Sequence, residues 1–313
     1  MADEPDTTTT ASDGVTWGAL AIETTARLAV SSRPEVAELA EAHGRLIAMR
    51  ASGAEPGEWL DRARDLASVR GVAALDAMTA RRLQGEPLQY VLGEWSFRRI
   101  ELFVDRRVLI PRPETEVVAG LALRELERLA AATGDARSTT TAVDLGTGSG
   151  AIGLSLAVEH ERVDVWLTDV SADALAVARA NLAGIGRAGA RVRVAEGSWF
   201  DALPAELLGR LGLVVSNPPY VADGEALPAE VADWEPASAL FGGTGGTDHL
   251  ELLVADAPRW LRSDGALVLE MAPEQTGAVA ERAAAYFAEV EVHPDLVGRD
   301  RAVVARRPRA EWS

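Results

Sequence analysis

A glycine-rich turn joins a predicted strand to a predicted helix near the middle of the chain. It runs from Asp144 to Gly150 as DLGTGSG and follows the apolar stretch TAV. Glycines permit a tight turn and let a ligand approach the backbone, and free N–H groups at a helix start can face an anionic group. Asp169 ends the next predicted strand, where its carboxylate can accept hydrogen bonds from ribose hydroxyls. These residues predict a site for a nucleoside-containing cofactor.

The turn alone is compatible with two classes of cofactor. Gly146, Gly148 and Ala151 satisfy the dinucleotide pattern G-x-G-x-x-G/A. Sites for S-adenosylmethionine commonly carry an acidic residue ahead of a G-x-G-x-G turn, and Asp144 precedes such a turn here. We therefore expect S-adenosylmethionine, with Asp144 acting in the cofactor site or as a cap of the turn.

The tetrapeptide Asn217-Pro218-Pro219-Tyr220 follows LVVS at the carboxyl end of another predicted strand. Open α/β sheets bind their ligands at this edge. Two prolines fix φ and lack N–H donors, which makes the Pro218 carbonyl a rigid acceptor. Asn217 offers a second acceptor, and Tyr220 offers a flat aromatic face. The tetrapeptide therefore suits a planar NH2 group, whose two protons would be held by two acceptors.

An amide or aromatic amine nitrogen is a weak nucleophile because resonance ties up its lone pair. Holding both N–H bonds while aligning the nitrogen with a methyl sulfonium favours a pyramidal, attack-ready nitrogen. Positioning and electrostatics can then provide the catalysis. No strong base is needed before attack, since the proton is lost afterwards, when the product nitrogen is acidic.

The hydrophobic pattern predicts the elements that position these residues. Residues 1–14 predict a disordered tail, 15–89 a helical domain, 90–110 a linking β-hairpin and 111–313 a catalytic domain. Within the last, a long helix precedes alternating strands and helices, which indicates a sheet with helices on both faces. Two more strands, AEVEVHPD and DRAVVARR, complete the sheet. We interpret the second as a charged edge strand.

Composition and charge exclude several classes of function. The 313 residues contain no cysteine and only four histidines, so we expect no metal site. The net charge of −17, with arginine as the only basic side chain apart from histidine, argues against nucleic acid as a partner. No apolar run approaches the about 20 residues that span a bilayer, and the N-terminus lacks a secretory signal. We predict a cytoplasmic monomer without a membrane partner.

Several segments, in order, resemble one family. They read RRLQGEPLQYVLGEWSF, VLIPRPETE, VDLGTGSGAIGLSLA, VVSNPPYV, WEPASALFGG, LVLEMAPEQ and DLVGRDRAVVARR. They are similar to the protein-(glutamine-N5) methyltransferases, which modify the glutamine of the Gly-Gly-Gln motif in class-1 peptide chain release factors. The resemblance covers roughly residues 75–308. It implies a class I methyltransferase (Rossmann-like) fold of the α/β class, with a seven-stranded sheet, a small N-terminal helical bundle that recognises the substrate, and a linking β-hairpin.

The resemblance also implies roles for particular residues. Those that would bind S-adenosylmethionine are Asp144, Gly146, Thr147, Gly148, Ser149, Gly150, Asp169, Trp199 and Asn217. Asn217, Pro218, Pro219 and Tyr220 would bind the substrate glutamine and carry the catalysis. Glu114 and Glu116 would help to close the site, or would only complement the dipole of a helix start. The alternative for Trp199 is an ordinary core residue.

The chain departs from the family at two positions near the site. Ser198 stands where many relatives have aspartate, which predicts a weaker or backbone contact to adenine. His249 lies in GGTGGTDHLELL, where relatives have Gly-Asp-Gly-Leu. We interpret His249 as a surface or capping residue and not as a catalytic base.

Three other functions are weighed against release factor methylation. A paralogue that methylates a glutamine of a large-subunit ribosomal protein would use the same site. An adenine-N6 DNA methyltransferase shares the NPPY turn, but the acidic charge and the lack of a basic recognition segment disfavour it. A catalytically silent binding protein is disfavoured because the glycine turn and the NPPY tetrapeptide are both intact.

Overall fold

The computed structural model describes residues 14–134 and 138–312. The chain forms two compact units that divide between Leu92 and Gly93. Of the tail predicted at residues 1–14, only Gly14 falls within the described residues.

The first unit is a bundle of short helices, as the sequence predicts. Its helices are α1 (Trp17–Ala29), α2 (Pro34–Ala37), α3 (Ala40–Ser52), α4 (Trp59–Arg62), α5 (Val69–Leu83) and α6 (Leu88–Leu92). The hydroxyl groups of Thr16 and Ser68 cap the first turns of α1 and α5 by accepting backbone N–H groups. Apolar residues at helical spacing, among them Leu28, Ile47 and Leu75, form the buried core of the bundle.

The segment predicted as a hairpin from residue 90 begins as a helix instead. Tyr90 and Val91, whose aromatic and β-branched side chains indicated a strand, lie in α6 and are 2% and 3% exposed. Gly93, with φ of +75°, follows the helix, and the hairpin comes next as β1 (Glu94–Phe97) and β2 (Ile100–Phe103). The strand prediction is wrong for Tyr90 to Leu92 because burial outweighs intrinsic strand preference.

The second unit contains a seven-stranded sheet in the order β5-β4-β3-β6-β7-β9-β8. The strands are β3 (Thr140–Leu145), β4 (Val163–Asp169), β5 (Val192–Glu196), β6 (Leu211–Ser216), β7 (Leu261–Glu270), β8 (Phe287–Pro294) and β9 (Asp300–Pro308). The helices are α7 (Pro113–Thr133), α8 (Ala151–Glu159), α9 (Ala172–Gly184), α10 (Ala229–Ala232), α11 (Asp248–Trp260) and α12 (Thr276–Ala284). In the part of the chain that the structure describes, no helix combines the length and apolarity needed to cross a bilayer.

Strand β9 is an inner strand, so its interpretation as a charged edge strand is wrong. It pairs antiparallel with β7 on one side and with β8 on the other. Its arginines are accommodated by carboxylates: Arg306 Nε donates to Glu125 Oε1 at 2.8 Å, and Arg306 Nη1 lies 3.0 Å from Glu291 Oε1. Because these charges are paired, an arginine-bearing strand lies inside the sheet, and β8 forms the edge.

The carboxyl ends of the parallel strands bring the predicted site residues together. Strand β3 lies between β4 and β6, and the strand order reverses between β3 and β6. Leu145 pairs with Ser216, and the Ser216 hydroxyl donates to the Leu145 carbonyl at 2.6 Å. The glycine turn after β3, Asp169 at the end of β4 and Asn217 after β6 therefore meet at one edge of the sheet.

Candidate active site

A cavity of about 470 Å³ lies at this edge of the sheet, within the range usual for small-molecule sites. Its wall is built by the loops that follow β3, β4, β5 and β6, together with the beginnings of α7 and α11. The predicted residues that line it are Asp144, Gly146, Thr147, Gly148, Ser149, Asp169, Trp199, Asn217 and Pro219. The structure thus brings both predicted motifs to one cavity.

The buried Asp144 carboxylate stabilises the glycine turn through hydrogen bonds. Its carboxylate is 1% exposed, accepts the Thr147 hydroxyl at 2.6 Å and accepts the Gly153 N–H at 2.9 Å. Burial raises the pKa of this carboxyl to about 6. The turn itself has left-handed φ at Gly146 and at Gly150, the N-cap of α8. Asp144 therefore caps the turn while it also forms part of the cavity wall.

Asp169 ties the glycine turn to the loop after β4. Its Oδ2 accepts the Gly148 N–H and its Oδ1 accepts the Ser171 N–H, each at 2.9 Å. Burial is the main cause that raises the pKa of this carboxyl. Asp169 also lines the cavity, so its carboxylate can accept hydrogen bonds from a ligand bound there. That arrangement fits a pair of vicinal hydroxyls.

Trp199 and His249 form an aromatic part of the wall. The Trp199 backbone has φ of +47°, and its ring lies 3.3 Å from where a Cβ on Gly146 would stand. The His249 ring packs on it with 5.2 Å between centroids. Trp199 is therefore a wall residue as well as a neighbour of the core. His249, interpreted from the sequence as a surface or capping residue, is half-buried in the first turn of α11 and lines the cavity.

The NPPY tetrapeptide divides between the cavity and the protein interior. Asn217 and Pro219 line the cavity, whereas Pro218 is buried and Tyr220 packs against the core of the sheet. Burial raises the pKa of the Tyr220 hydroxyl to about 12, so it stays protonated.

Gly242 and Gly246 pack closely against the backbone of the tetrapeptide. A Cβ on Gly242 would lie 2.3 Å from the Pro219 carbonyl oxygen, and one on Gly246 would lie 2.3 Å from that of Tyr220. Only glycine permits such an approach of two backbones. The glycine-rich segment before α11 therefore has a packing role that its sequence did not reveal.

Helix α7 brings Thr115, and not the two flanking glutamates, to the cavity. Thr115 is 4% exposed, and its Oγ1 accepts Asn217 Nδ2 at 3.3 Å. Glu114 instead accepts Arg299 Nη2 at 3.1 Å, and Glu116 accepts the Arg98 backbone N–H at 3.3 Å. Successive residues of a helix point about 100° apart, so only one of the three faces the cavity. Sequence analysis considered only the charged residues Glu114 and Glu116 and missed Thr115.

The family comparisons agree with this geometry. Residues 126–233 match the model "Methyltransferase small domain", and residues 23–93 match "PrmC N-terminal domain". A protein of Chlorobaculum tepidum named release factor glutamine methyltransferase is 40% identical over 246 residues, which are 78% of this chain and 82% of that protein. The chain belongs to the release factor glutamine methyltransferase family.

Two further relatives carry the same name. The protein of Cereibacter sphaeroides is 41% identical, covering 78% of this chain and 81% of its own length. The protein of Deinococcus radiodurans is 40% identical, covering 72% and 77%. Among solved structures, the hMettl16 catalytic domain in complex with MAT2A 3'UTR hairpin 1 has a TM-score of 0.51 at 13% identity, covering 78% and 82%. This likeness confirms the class I methyltransferase (Rossmann-like) fold.

Glu235, which sequence analysis missed, supports two segments of the cavity wall. Its side chain is almost fully buried, accepts the Ile110 N–H at 3.0 Å and forms an ion pair with Arg112. Nearby, the Arg106 guanidinium lies 5.5 Å from the centre of the Trp234 ring. Glu235 thus connects two segments that line the cavity, residues 106–111 and 236–239. No periodicity signals such a contact between residues far apart in the sequence.

Glu270, the last residue of β7, is a second missed residue. It is 1% exposed, and within the described part of the chain neither carboxylate oxygen has a partner of regular hydrogen-bond geometry. Burial raises the pKa of this carboxyl to about 7, against a smaller lowering by the Thr115 hydroxyl beside it. A buried carboxylate without a firm partner destabilises a fold when it is ionised.

We expect Glu270→Gln to stabilise the protein more at pH 8 than at pH 5. A carboxyl whose pKa is raised from 4.5 to about 7 on folding contributes stability below pH 4.5, and that stability is lost as the pH rises through 7. Glutamine does not ionise, so the variant keeps its stability as the pH rises. The difference in unfolding free energy between the variant and the unmodified protein should therefore increase by on the order of 2 kcal/mol from pH 5 to pH 8. Denaturant unfolding without cofactor measures it. Glu289→Gln, on the exposed edge strand β8, is the control and should show no comparable growth.

Proposed function

We propose that this protein transfers a methyl group from S-adenosylmethionine to the side-chain amide nitrogen of a protein glutamine. The substrate we propose is the glutamine of the Gly-Gly-Gln motif in class-1 peptide chain release factors. The observation that carries the proposal is the presence of Asn217 in the same cavity as the glycine turn and Asp169. The names of relatives about 40% identical over most of the chain support the choice of substrate.

The cavity residues fit S-adenosylmethionine. Gly146 to Gly150 form an open turn at a helix start, which suits the methionine part. The Asp169 carboxylate would accept the ribose hydroxyls, and Trp199 offers an aromatic surface for the adenine region. Ser198 also lines the cavity, at the position where the resemblance implies an aspartate, so its contact to adenine would be weaker or made by backbone. When bound, S-adenosylmethionine supplies a methyl group that its sulfonium activates for transfer.

The protein's own residues prepare the nucleophile. Asn217 and the Pro218 carbonyl would accept the two N–H groups of the substrate amide, which holds the nitrogen toward the methyl donor. Catalysis then rests on position and on preorganised dipoles, and no residue needs to remove a proton before attack. Tyr220 and the glycines behind the tetrapeptide keep its backbone in place.

The charge of the chain and its family bear on the substrate class, the recognition domain and the location in the cell. The net charge of −17 supports a protein substrate and not nucleic acid. The helical unit, whose residues 23–93 match the PrmC N-terminal domain, would recognise the protein substrate, as the family resemblance implies. We propose that the enzyme acts as a monomer in the cytoplasm, with the helical unit that ends at Leu92 as its substrate-recognition domain and the unit that begins at Gly93, hairpin included, as its catalytic domain.

Asp169→Ala is expected to weaken cofactor binding by about 1–3 kcal/mol, the usual loss for hydrogen bonds to a charged group. The change also removes the acceptor of the Gly148 N–H, so both effects act on the cofactor. Calorimetric titration with S-adenosylmethionine measures it. Asp164→Ala, near the other end of β4, is the matched control. An unchanged affinity in Asp169→Ala would remove this residue from the site.

One experiment tests the proposed reaction directly. The enzyme is incubated with labelled S-adenosylmethionine and purified release factor, and mass spectrometry maps the methylated residue. We expect label on the glutamine of Gly-Gly-Gln and none on a release factor in which that glutamine is alanine. Label on a ribosomal-protein glutamine in a parallel reaction, with none on the release factor, would replace the proposed substrate with the paralogue's.

A further inference from the structure

The side-chain amide of Asn217 is held in one of two orientations. Its Nδ2 donates to Thr115 Oγ1 at 3.3 Å. An amide carries its donor and its acceptor on opposite branches, so the branch that does not contact Thr115 is Oδ1. Since Asn217 lines the cavity, Oδ1 is the group left to accept a hydrogen bond from a substrate.

The Thr115 hydroxyl could stabilise either orientation. A hydroxyl has one proton and two lone pairs, so it can accept from Nδ2 or donate to Oδ1. In the second case the amide would turn over and present its NH2 group to the cavity. A second partner that takes the Thr115 proton is therefore needed to select the observed orientation.

Glu270 is the candidate for that second partner. Ser216 pairs with Leu269, so the residues that follow them, Asn217 and Glu270, lie beside each other at the ends of β6 and β7. The Glu270 carboxylate is buried, α7 packs against β7, and the Thr115 hydroxyl lowers the pKa of Glu270 against the larger effect of burial. Within the described residues neither carboxylate oxygen has a hydrogen-bond partner of regular geometry, Thr115 included, so both keep free acceptor positions.

We infer that Thr115 and Glu270 are positioning residues that set the orientation of the Asn217 amide and so select a substrate NH2 group. The Thr115 hydroxyl donates to the Glu270 carboxylate and must then accept from Asn217 Nδ2, which leaves Oδ1 for the substrate. The inference rests on the proposed role of Asn217 in binding the substrate glutamine. It adds a reason why this site accepts an amide nitrogen and rejects a carboxylate of the same shape.

The charge state of Glu270 controls this arrangement. When protonated, Glu270 can donate to Thr115, whose own proton then becomes free to turn the Asn217 amide over. The charged and titratable groups that act on Glu270 are Arg301 of β9, Arg112 and Glu114 at the start of α7, and Tyr220 after β6. The two arginines favour the ionised form, and burial opposes it. Activity should therefore increase as the pH rises and Glu270 ionises.

Thr115→Val tests the inference, since valine keeps the shape and removes the hydroxyl. We expect kcat for methylation of the release factor to fall about tenfold, with the affinity for S-adenosylmethionine within about threefold of the unmodified enzyme. Thr115→Ser keeps the hydroxyl and should restore kcat to within about threefold. An unchanged kcat in Thr115→Val, or an equal loss in both variants, would overturn the inference.

A second measurement reports on orientation and not only on rate. The release factor whose target glutamine is changed to glutamate presents a carboxylate that needs a donor. We expect the unmodified enzyme to bind this form more weakly than the glutamine form, and Thr115→Val to lose most of that preference. A preference that stays the same in Thr115→Val would show that Thr115 supports only the structure.

A third measurement does not depend on methylation. Titration of the Glu270 carboxyl by carbon NMR should give a higher pKa in Thr115→Val than in the unmodified protein, and an unchanged pKa in Thr115→Ser. Equal pKa values in all three would overturn the Thr115–Glu270 contact. If the unmodified enzyme does not methylate the release factor, the proposed function fails, and the NMR result alone decides on the contact.

Discussion

Asn217→Ala is expected to lower methylation of the release factor by about 10²-fold or more while cofactor affinity stays within about threefold. The substitution removes an acceptor that positions the nucleophile. It also frees the Thr115 hydroxyl from its 3.3 Å contact. Asn217 has no hydrogen bond to the glycine turn or to Asp169 in the described part of the chain, so the cofactor side should be little affected. Single-turnover rates and calorimetric titration separate the two quantities.

Asp169→Ala provides the reciprocal control for this result. It should weaken cofactor binding, and its rate should recover at saturating S-adenosylmethionine to a greater extent than that of Asn217→Ala. Activity of Asn217→Ala close to that of the unmodified enzyme would remove Asn217 from the catalytic site. A parallel loss of cofactor affinity would instead place it in the cofactor site.

The parts that sequence analysis predicted best are those with a local signal. The glycine turn, Asp169 and the NPPY tetrapeptide each end a strand, and parallel strands of one sheet end at the same edge. A strand assignment therefore also predicts where such residues meet. The alternation of strands and helices predicted a sheet with helices on both faces for the same reason, and the family resemblance implied its seven strands.

The parts that it missed depend on contacts between distant segments. Thr115, Glu235 and Glu270 are assembled with their partners only by the fold, and no spacing in the sequence reports their burial. In PRPETE the site role was predicted for the two glutamates, although helix geometry turns the neutral threonine between them to the cavity. The prediction that β9 is an edge strand was wrong for a similar reason, because the pairing of Arg306 with Glu125 is visible only in the structure.

Glu270 also shows why a rule of folding can be broken at a site. A buried carboxylate without a regular partner, among the residues that the structure describes, lowers stability at neutral pH. Such departures from consistent packing tend to occur where function requires them. If Glu270 orients Asn217 through Thr115, then the stability gained in Glu270→Gln and the rate lost in Thr115→Val have one structural origin.

Asn217→Asp distinguishes hydrogen-bond acceptance from the need for a neutral, oriented amide. Aspartate keeps the size and the acceptor of asparagine, so acceptance alone would preserve much of the activity. We expect instead a loss nearly as large as in Asn217→Ala, about 10²-fold. A carboxylate beside the sulfonium favours the charged ground state over a transition state in which that charge disperses.

The surroundings of Asn217 strengthen this expectation and give it a pH signature. Aspartate has no N–H to donate to Thr115, and it would compete with the buried Glu270 for the single hydroxyl proton. Two close carboxylates raise the pKa of one of them, so the pair formed by the introduced carboxylate and Glu270 should take up one proton as the pH falls. The activity of Asn217→Asp relative to the unmodified enzyme should therefore rise between pH 8 and pH 6, measured at saturating cofactor. Near-normal activity of this variant at pH 8 would mean that hydrogen-bond acceptance is the whole contribution of Asn217, and that neither the charge argument nor the fixed amide orientation is needed.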